Sequence, residues 1–171
     1  MKAFCVLGAS ALREQDFVCD LIAGLRIDGW SVSNIKRAPD GFDLDQPGRG
    51  SYAKREAGCS EVMLVGDRRL VLMQEFRHAE PSIDSLLARL EPVDVVMLEG
   101  FRNAALPTVE VWLRASGRSP RWLENPHVFA VVSDGPVDRS IASFQPTDVA
   151  ALATHIAKYL RLVPRSAAQS R

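Results

Sequence analysis

The sequence predicts an α/β fold, a doubly wound and mostly parallel sheet with an antiparallel portion. Three observations lead there. The chain opens strand–helix–strand between Lys2 and Ile35, which implies parallel strands joined by a right-handed crossover. A continuous apolar run, V-D-V-V-M-L from Val93 to Leu98, suits a central strand covered on both faces. A strand pair, Val62–Val65 and Leu70–Gln74, flanks the tight turn at Gly66-Asp67 and supplies the antiparallel portion.

Each element has its own signal. Lys2–Leu7 is a short apolar run ending at a glycine, a buried strand. Phe17, Val18, Leu21, Ile22 and Leu25 fall on one helical face, which Gly29 closes. Trp30–Ile35 reads as the second strand. Lys36–Gly50 is polar and rich in Gly, Pro and Asp, a loop of the length that often carries function. A short helix is predicted over Ser51–Ala57, and Ile83, Leu86, Leu87 and Leu90 give helical spacing to Pro81–Leu90. Val109, Val111 and Leu113 alternate with Glu110 and Trp112, a half-buried strand. Arg114–Pro126 reads as a polar loop and Val128–Val132 as a buried strand. Val149, Leu152, Ile156 and Leu160 line a final helix started by Thr147. Residues 1–162 are read as a single domain and 163–171 as a disordered tail.

Composition narrows the function. Hydrophobic residues make up 47% and charged residues 25% of the 171 positions, the balance of a soluble globular protein. Lys+Arg and Asp+Glu are both 21, so net charge gives no support for nucleic-acid or anionic-membrane binding. No apolar stretch approaches a membrane span, and the N-terminus lacks a signal-peptide pattern. Cys5, Cys19 and Cys59 form no C-x-x-C pair and fit free, buried thiols in the cytoplasm.

In such sheets ligands sit beyond the carboxyl ends of the strands. Those ends are Gly8–Gln15, Lys36–Ser51, Glu99–Asn103 and Ser133–Pro136. The first follows a strand and opens a helix, the setting of a phosphate-binding loop G-x-x-x-x-G-K-[ST]. Here it reads Gly8-Ala9-Ser10-Ala11-Leu12-Arg13-Glu14-Gln15, and only Gly8 keeps the pattern. Arg13 takes the second glycine, Glu14 the lysine and Gln15 the hydroxyl. Losing a charged hydrogen bond costs roughly 1.5–3 kcal/mol. A carboxylate about 5 Å from a phosphate charge adds about 3 kcal/mol of repulsion at an effective dielectric of 20. Together these weaken triphosphate binding roughly a thousandfold or more. Arg13, near a helix N-terminus, is a compensating anion contact. Read without other context, the segment is an ordinary strand-to-helix turn.

Further motifs carry a family resemblance. D-L-D-Q-P-G-R-G-S (Asp43–Ser51) and R-E-A-G (Arg55–Gly58), then V-D-V-V-M-L-E-G-F-R, P-T-V-E-V and F-A-V-V-S-D, stand in this order. They resemble the segments D-x-D-x-P-G-K-D-S, V-D-L-V-L-V-E-G-F-K, P-K-I-E-V and A-V-x-S-D of the molybdopterin-guanine dinucleotide biosynthesis adapter proteins, the MobB family. The likeness runs from Lys2 to about Leu160. It implies a P-loop NTPase-like three-layer α/β/α fold, a dimer, and weak GTP hydrolysis in service of the enzyme that attaches GMP to molybdopterin.

Carried over by position, the resemblance makes Glu99, with Gly100, the strand-end acid on the Mg²⁺ side and the one candidate metal ligand. Asp43 and Asp45 become the paired acids of a switch-like loop, although such residues equally serve turns and caps. Lys36, Arg37 and Arg49, with Pro47, Gly48 and Ser51, form a rim able to meet phosphate or an anionic pterin. Gly8, Ser10, Arg13, Glu14 and Gln15 form the degenerate nucleotide loop, and no catalytic residue is assigned. The cofactors implied are GTP with Mg²⁺, bound weakly or not at all, and molybdopterin or its guanine dinucleotide. The partners implied are a second copy or an intact relative, and the guanylyltransferase or a molybdoenzyme. Lys54 and Arg55 read as a solvated face, Trp112 and Trp122 as core or dimer contact, and His78, His127 and His155 as isolated.

Overall fold

The computed structural model describes residues 1–8, 14–38, 45–76, 79–137 and 141–163, with 14–16 described along the backbone alone. The predicted tail falls almost wholly outside them. The chain divides into two units, 1–37 with 90–171, and 38–89.

The larger unit is a parallel sheet. Its strands are β1 (Lys2–Leu7), β2 (Val32–Lys36), β5 (Val95–Glu99), β6 (Thr108–Trp112), β7 (Val128–Ser133) and β8 (Ala142–Phe144), in the order β2-β5-β1-β6-β7-β8. Every pairing within it is parallel, so all carboxyl ends share one edge. Helices α1 (Glu14–Ile27) and α4 (Val149–Tyr159) cover one face. There Phe4, Val6, Val95, Met97, Val109 and Val111 pack against Phe17, Leu21, Leu25, Leu152 and Ile156, all buried. Alternation turns Leu7, Glu110 and Trp112 to the other face, where Trp122, Val128 and Val131 make a smaller core with Trp112, Val137 and Ile141.

The smaller unit holds α2 (Gly50–Glu56), α3 (Ile83–Leu87) and an antiparallel pair, β3 (Glu61–Val65) with β4 (Leu70–Gln74). The antiparallel portion is thus a separate two-stranded sheet. Helix α3 is shorter than its periodicity predicts, capped by Ser82, whose hydroxyl accepts the Ser85 amide at 3.2 Å.

Elsewhere the differences trace to tertiary contacts. Trp30 and Ser31 precede β2, because Ser31 is clamped to Asp94: the Asp94 carboxylate accepts the Ser31 amide at 2.9 Å and its hydroxyl at 2.6 Å. The same clamp delays β5 to Val95. The segment after β6 contains two short 3₁₀ turns, Arg114–Ser116 and Arg121–Leu123. Strand β8 is three residues long, too short to announce itself by alternation. The last helix is capped at Asp148, which accepts the Gln145 amide, and Thr147 lies outside it. Of the three thiols Cys5 alone is buried, and burial pushes it up to about 11, whereas Cys19 and Cys59 are exposed. Among the described residues no helix is long and apolar enough to cross a membrane.

Candidate functional site

The parallel register brings four of the predicted strand ends to one edge of the larger unit. Gly8 follows β1 with φ of +78°, and a β-carbon there would sit 2.2 Å from the Val111 carbonyl oxygen. Lys36 ends β2 directly opposite Glu99 at the end of β5, and Glu99 is in turn opposite Val6 of β1. The Lys36 ammonium lies 3.9 Å from the Glu99 carboxylate, whose side chain is 13% exposed. The Arg37 amide donates to the Glu99 carbonyl at 3.0 Å. Gly100 turns away at φ +82°, with the Arg37 carbonyl 3.2 Å from where its β-carbon would be.

At the far strands Asp134 accepts the Arg114 amide at 3.0 Å, tying the β6 and β7 ends together, and Ser133 accepts the Gly135 amide at 3.2 Å within the β7 end. Glu14 and Gln15 open α1. Ser10 and Arg13 lie outside the described residues, as do Asp43 and His78. Among the described residues no three His, Cys, Asp or Glu side chains gather as a metal cluster. Glu99, the candidate metal ligand, already faces an ammonium.

The smaller unit gives Asp45 a structural setting. It is buried, and accepts the Ser51 hydroxyl at 2.7 Å and the Arg55 Nε at 3.0 Å. Burial pushes its carboxyl up, but the hydrogen bonds from Ser51 and Arg55 and the charges of Arg55 and Arg49 outweigh it and hold it below the usual range. Arg55 continues to Glu75 at 2.5 Å, so it links the loop, α2 and the end of β4 instead of forming a solvated face. Its guanidinium pKa is raised, first by the Glu75 hydrogen bond and then by Asp45. Pro47 and Gly48 make the turn into α2, Arg49 caps it without a side-chain bond, and Ser51 is buried.

A carboxyl lowered in the fold stabilises above its unfolded range, and that stability is lost as pH falls through the folded value. Arg55→Ala is therefore expected to lower the melting temperature at neutral pH, with the gap to the wild type narrowing on acidification. A constant gap in thermal melts across the acid range would contradict the role given to Asp45.

Sequence reasoning missed Glu110. Its alternation suggested an outward side chain, yet it is 4% exposed, and its two oxygens accept the Arg121 amide at 2.9 Å and the Trp122 amide at 2.8 Å. Burial raises its pKa, against the two amide bonds and the Arg121 charge. The available signal was P-T-V-E-V itself, a charged residue inside a strand flanked on both sides by apolar ones. Trp122 is core, edge-on to Trp112 at 5.2 Å. His155 stacks on Phe129, and among the described residues its Nε2 has no hydrogen-bond partner; burial and then Lys158 lower its pKa.

Comparisons with known proteins agree on one family. The family described as Molybdopterin guanine dinucleotide synthesis protein B, MobB, matches residues 4–134. The molybdopterin-guanine dinucleotide biosynthesis adapter protein of Escherichia coli (strain K12) is 28% identical over 145 residues, 82% of this chain and 83% of its own length. That of Haemophilus influenzae is 30% identical over 114 residues, 64% of this chain and 63% of its own length. Among solved structures, a molybdopterin-guanine biosynthesis protein B superposes with a TM-score of 0.71 at 20% identity, covering 93% of this chain and 99% of its own. Bacillus subtilis MobB gives 0.70 at 17%, covering 96% and 100%. The α/β sheet expected from the sequence is the fold these structures share, and with most of its length matched the chain belongs to the MobB family.

Proposed function

We propose that this chain is an accessory, adapter-type protein of molybdopterin-guanine dinucleotide biosynthesis or delivery, with nucleoside-triphosphate binding weakened or lost. The pathway assignment follows the names of its relatives. The single observation that carries the weakened site is the fate of the strand edge: Gly8 is retained where the backbone requires it, while the segment after it has Glu14 where a phosphate-binding lysine belongs. Glu99 facing Lys36 at 3.9 Å supports the same reading, since an ammonium stands where a cation would compete. Residues 1–162 act as one working domain in this reading, in the cytoplasm. In this reading Lys36 and Arg37 serve the pterin's anionic groups, and so does Arg49 within the smaller unit's segment of Asp43, Pro47, Gly48 and Ser51.

A dimer, with a second copy or an intact relative, is supported by the β3–β4 hairpin. Met63, Leu64, Val65, Leu70, Val71 and Leu72 are all exposed there. A two-stranded hairpin is marginal by itself, and so much apolar surface asks for cover.

Calorimetry with GTP and Mg²⁺ tests the nucleotide reading, beside a variant carrying Arg13→Gly, Glu14→Lys and Gln15→Thr. The expected result is no measurable binding by the natural chain and binding regained in the variant. Micromolar or tighter binding by the natural chain would favour the second reading, a divergent GTPase using Arg13 or a partner's group. Absence of binding in both, with retained binding to a molybdoenzyme, would favour a pure interaction module.

A further inference from the structure

A cavity of about 450 Å³ opens at the carboxyl edge of the larger unit, between the ends of β1 and β6 and the segment that follows β6. Its side-chain wall includes Leu7, Glu110 and Trp112, which alternate away from Phe4, Val6, Val109 and Val111. These three side chains lie on the sheet face opposite α1. Three arginines, Arg102, Arg118 and Arg121, complete the lining. A second cavity of about 500 Å³ adjoins it and shares Arg102 and Arg121.

The charges are unbalanced. Among the described residues none of the three guanidiniums is in an ion pair. Glu110, the one carboxylate among the described lining residues, is committed to the Arg121 and Trp122 amides. Among the described lining residues three positive charges against one negative leave two positive, which matches a phosphate monoester at neutral pH, about −1.5 to −2. Arginine forks bind phosphate oxygens in pairs, a geometry lysine lacks. Leu7, Val111, Trp112, Leu113 and Ala115 add apolar surface to the lining. Trp112 donates its Nε1 hydrogen to the Arg118 carbonyl at 2.8 Å, so its polar group is satisfied and its ring is left as a surface. The volume suits a small molecule larger than a bare anion.

We propose that this cavity is a binding site for a phosphate monoester carried on a planar ring system, held by Arg102, Arg118 and Arg121 with the ring against Leu7 and Trp112. Of the phosphate loop, Gly8 also lines the cavity.

The test is titration of the full chain with guanosine monophosphate and flavin mononucleotide, beside guanosine, riboflavin and inorganic phosphate, read by calorimetry and tryptophan fluorescence. A phosphorylated ring compound is expected to bind and to change the Trp112 emission. The unphosphorylated rings and free phosphate should bind at least about tenfold more weakly. Arg102→Ala, Arg118→Ala and Arg121→Ala should each weaken binding by about ten- to a hundredfold, the range of a lost charged hydrogen bond. Arg102→Lys should recover part of that loss, and Lys158→Ala, a charge removed from the exposed face of α4, should leave it unchanged. The proposal is overturned if neither ester binds, if phosphate alone binds as tightly as the esters, or if binding ignores all three arginine substitutions. Melting curves of each variant separate lost binding from lost folding.

Discussion

Gly8→Ala is expected to lower the melting temperature by roughly 4–20 °C, with or without any nucleotide. Two effects combine. At φ +78° an L-residue is strained by roughly 1–2 kcal/mol. Its β-carbon would also stand 2.2 Å from the Val111 carbonyl oxygen, a backbone atom that moves only if β6 moves. Forcing such a shift in a packed region costs about 1–3 kcal/mol. The sum of roughly 2–5 kcal/mol corresponds to that range at 2–4 °C per kcal/mol for a domain of this size. Gly48→Ala is the control: its φ is +93° but none of the described residues lies within 4 Å, so torsional strain acts alone and the drop should be markedly smaller. Equal drops in a melting experiment would remove the β1–β6 contact from the explanation.

Glu110→Ala is the second large effect, an expected loss of about 2–4 kcal/mol in denaturant unfolding. The substitution leaves the Arg121 and Trp122 amides without acceptors, one of them in a buried setting. A hydrogen bond to a charged group contributes about 1.5–3 kcal/mol, and a buried orphan donor costs about 1–3. Relief from burying a carboxylate offsets part of the total. Because the 3₁₀ turn at Arg121–Leu123 carries Trp122 into the second core, its emission should shift to the red in the variant. Glu110→Gln keeps one acceptor and should lose about half as much.

The pH dependence gives a further check. Burial raises the folded pKa of Glu110, so its contribution is fully present below the unfolded range and is lost as pH rises through the raised value. Relative to Glu110→Gln, the wild type should therefore gain stability on acidification from neutral pH. The opposite trend would mean that the two amide bonds outweigh burial. The sign is opposite to that expected for Asp45, so the two carboxyls are distinguishable in one series of melts.

The fold was legible in the sequence wherever periodicity and covalent order carry it. The apolar runs at Lys2–Leu7, Val93–Leu98 and Val128–Val132 are strands because long stretches without polar side chains need cover on both faces, and the helical faces of α1 and α4 provide it on one. The order of the motifs also determined the family, since D-L-D-Q-P-G, L-E-G-F and V-V-S-D are local patterns that survive at low identity. What the sequence could not give was partnership between distant residues. Asp45 and Arg55 look like a turn acid and a surface base until α2 folds one beside the other. Glu110 looks outward until the chain returns at Arg121 and Trp122 with two amides to satisfy. Gly8 looks like a residue kept for phosphate until the Val111 carbonyl comes within 2.2 Å of its missing β-carbon. Arg102 follows β5 while Arg118 and Arg121 follow β6, and they share a cavity because β1 pairs with both strands. Periodicity reports which face of an element is covered; which charges and hydrogen-bonding groups meet there depends on the tertiary arrangement.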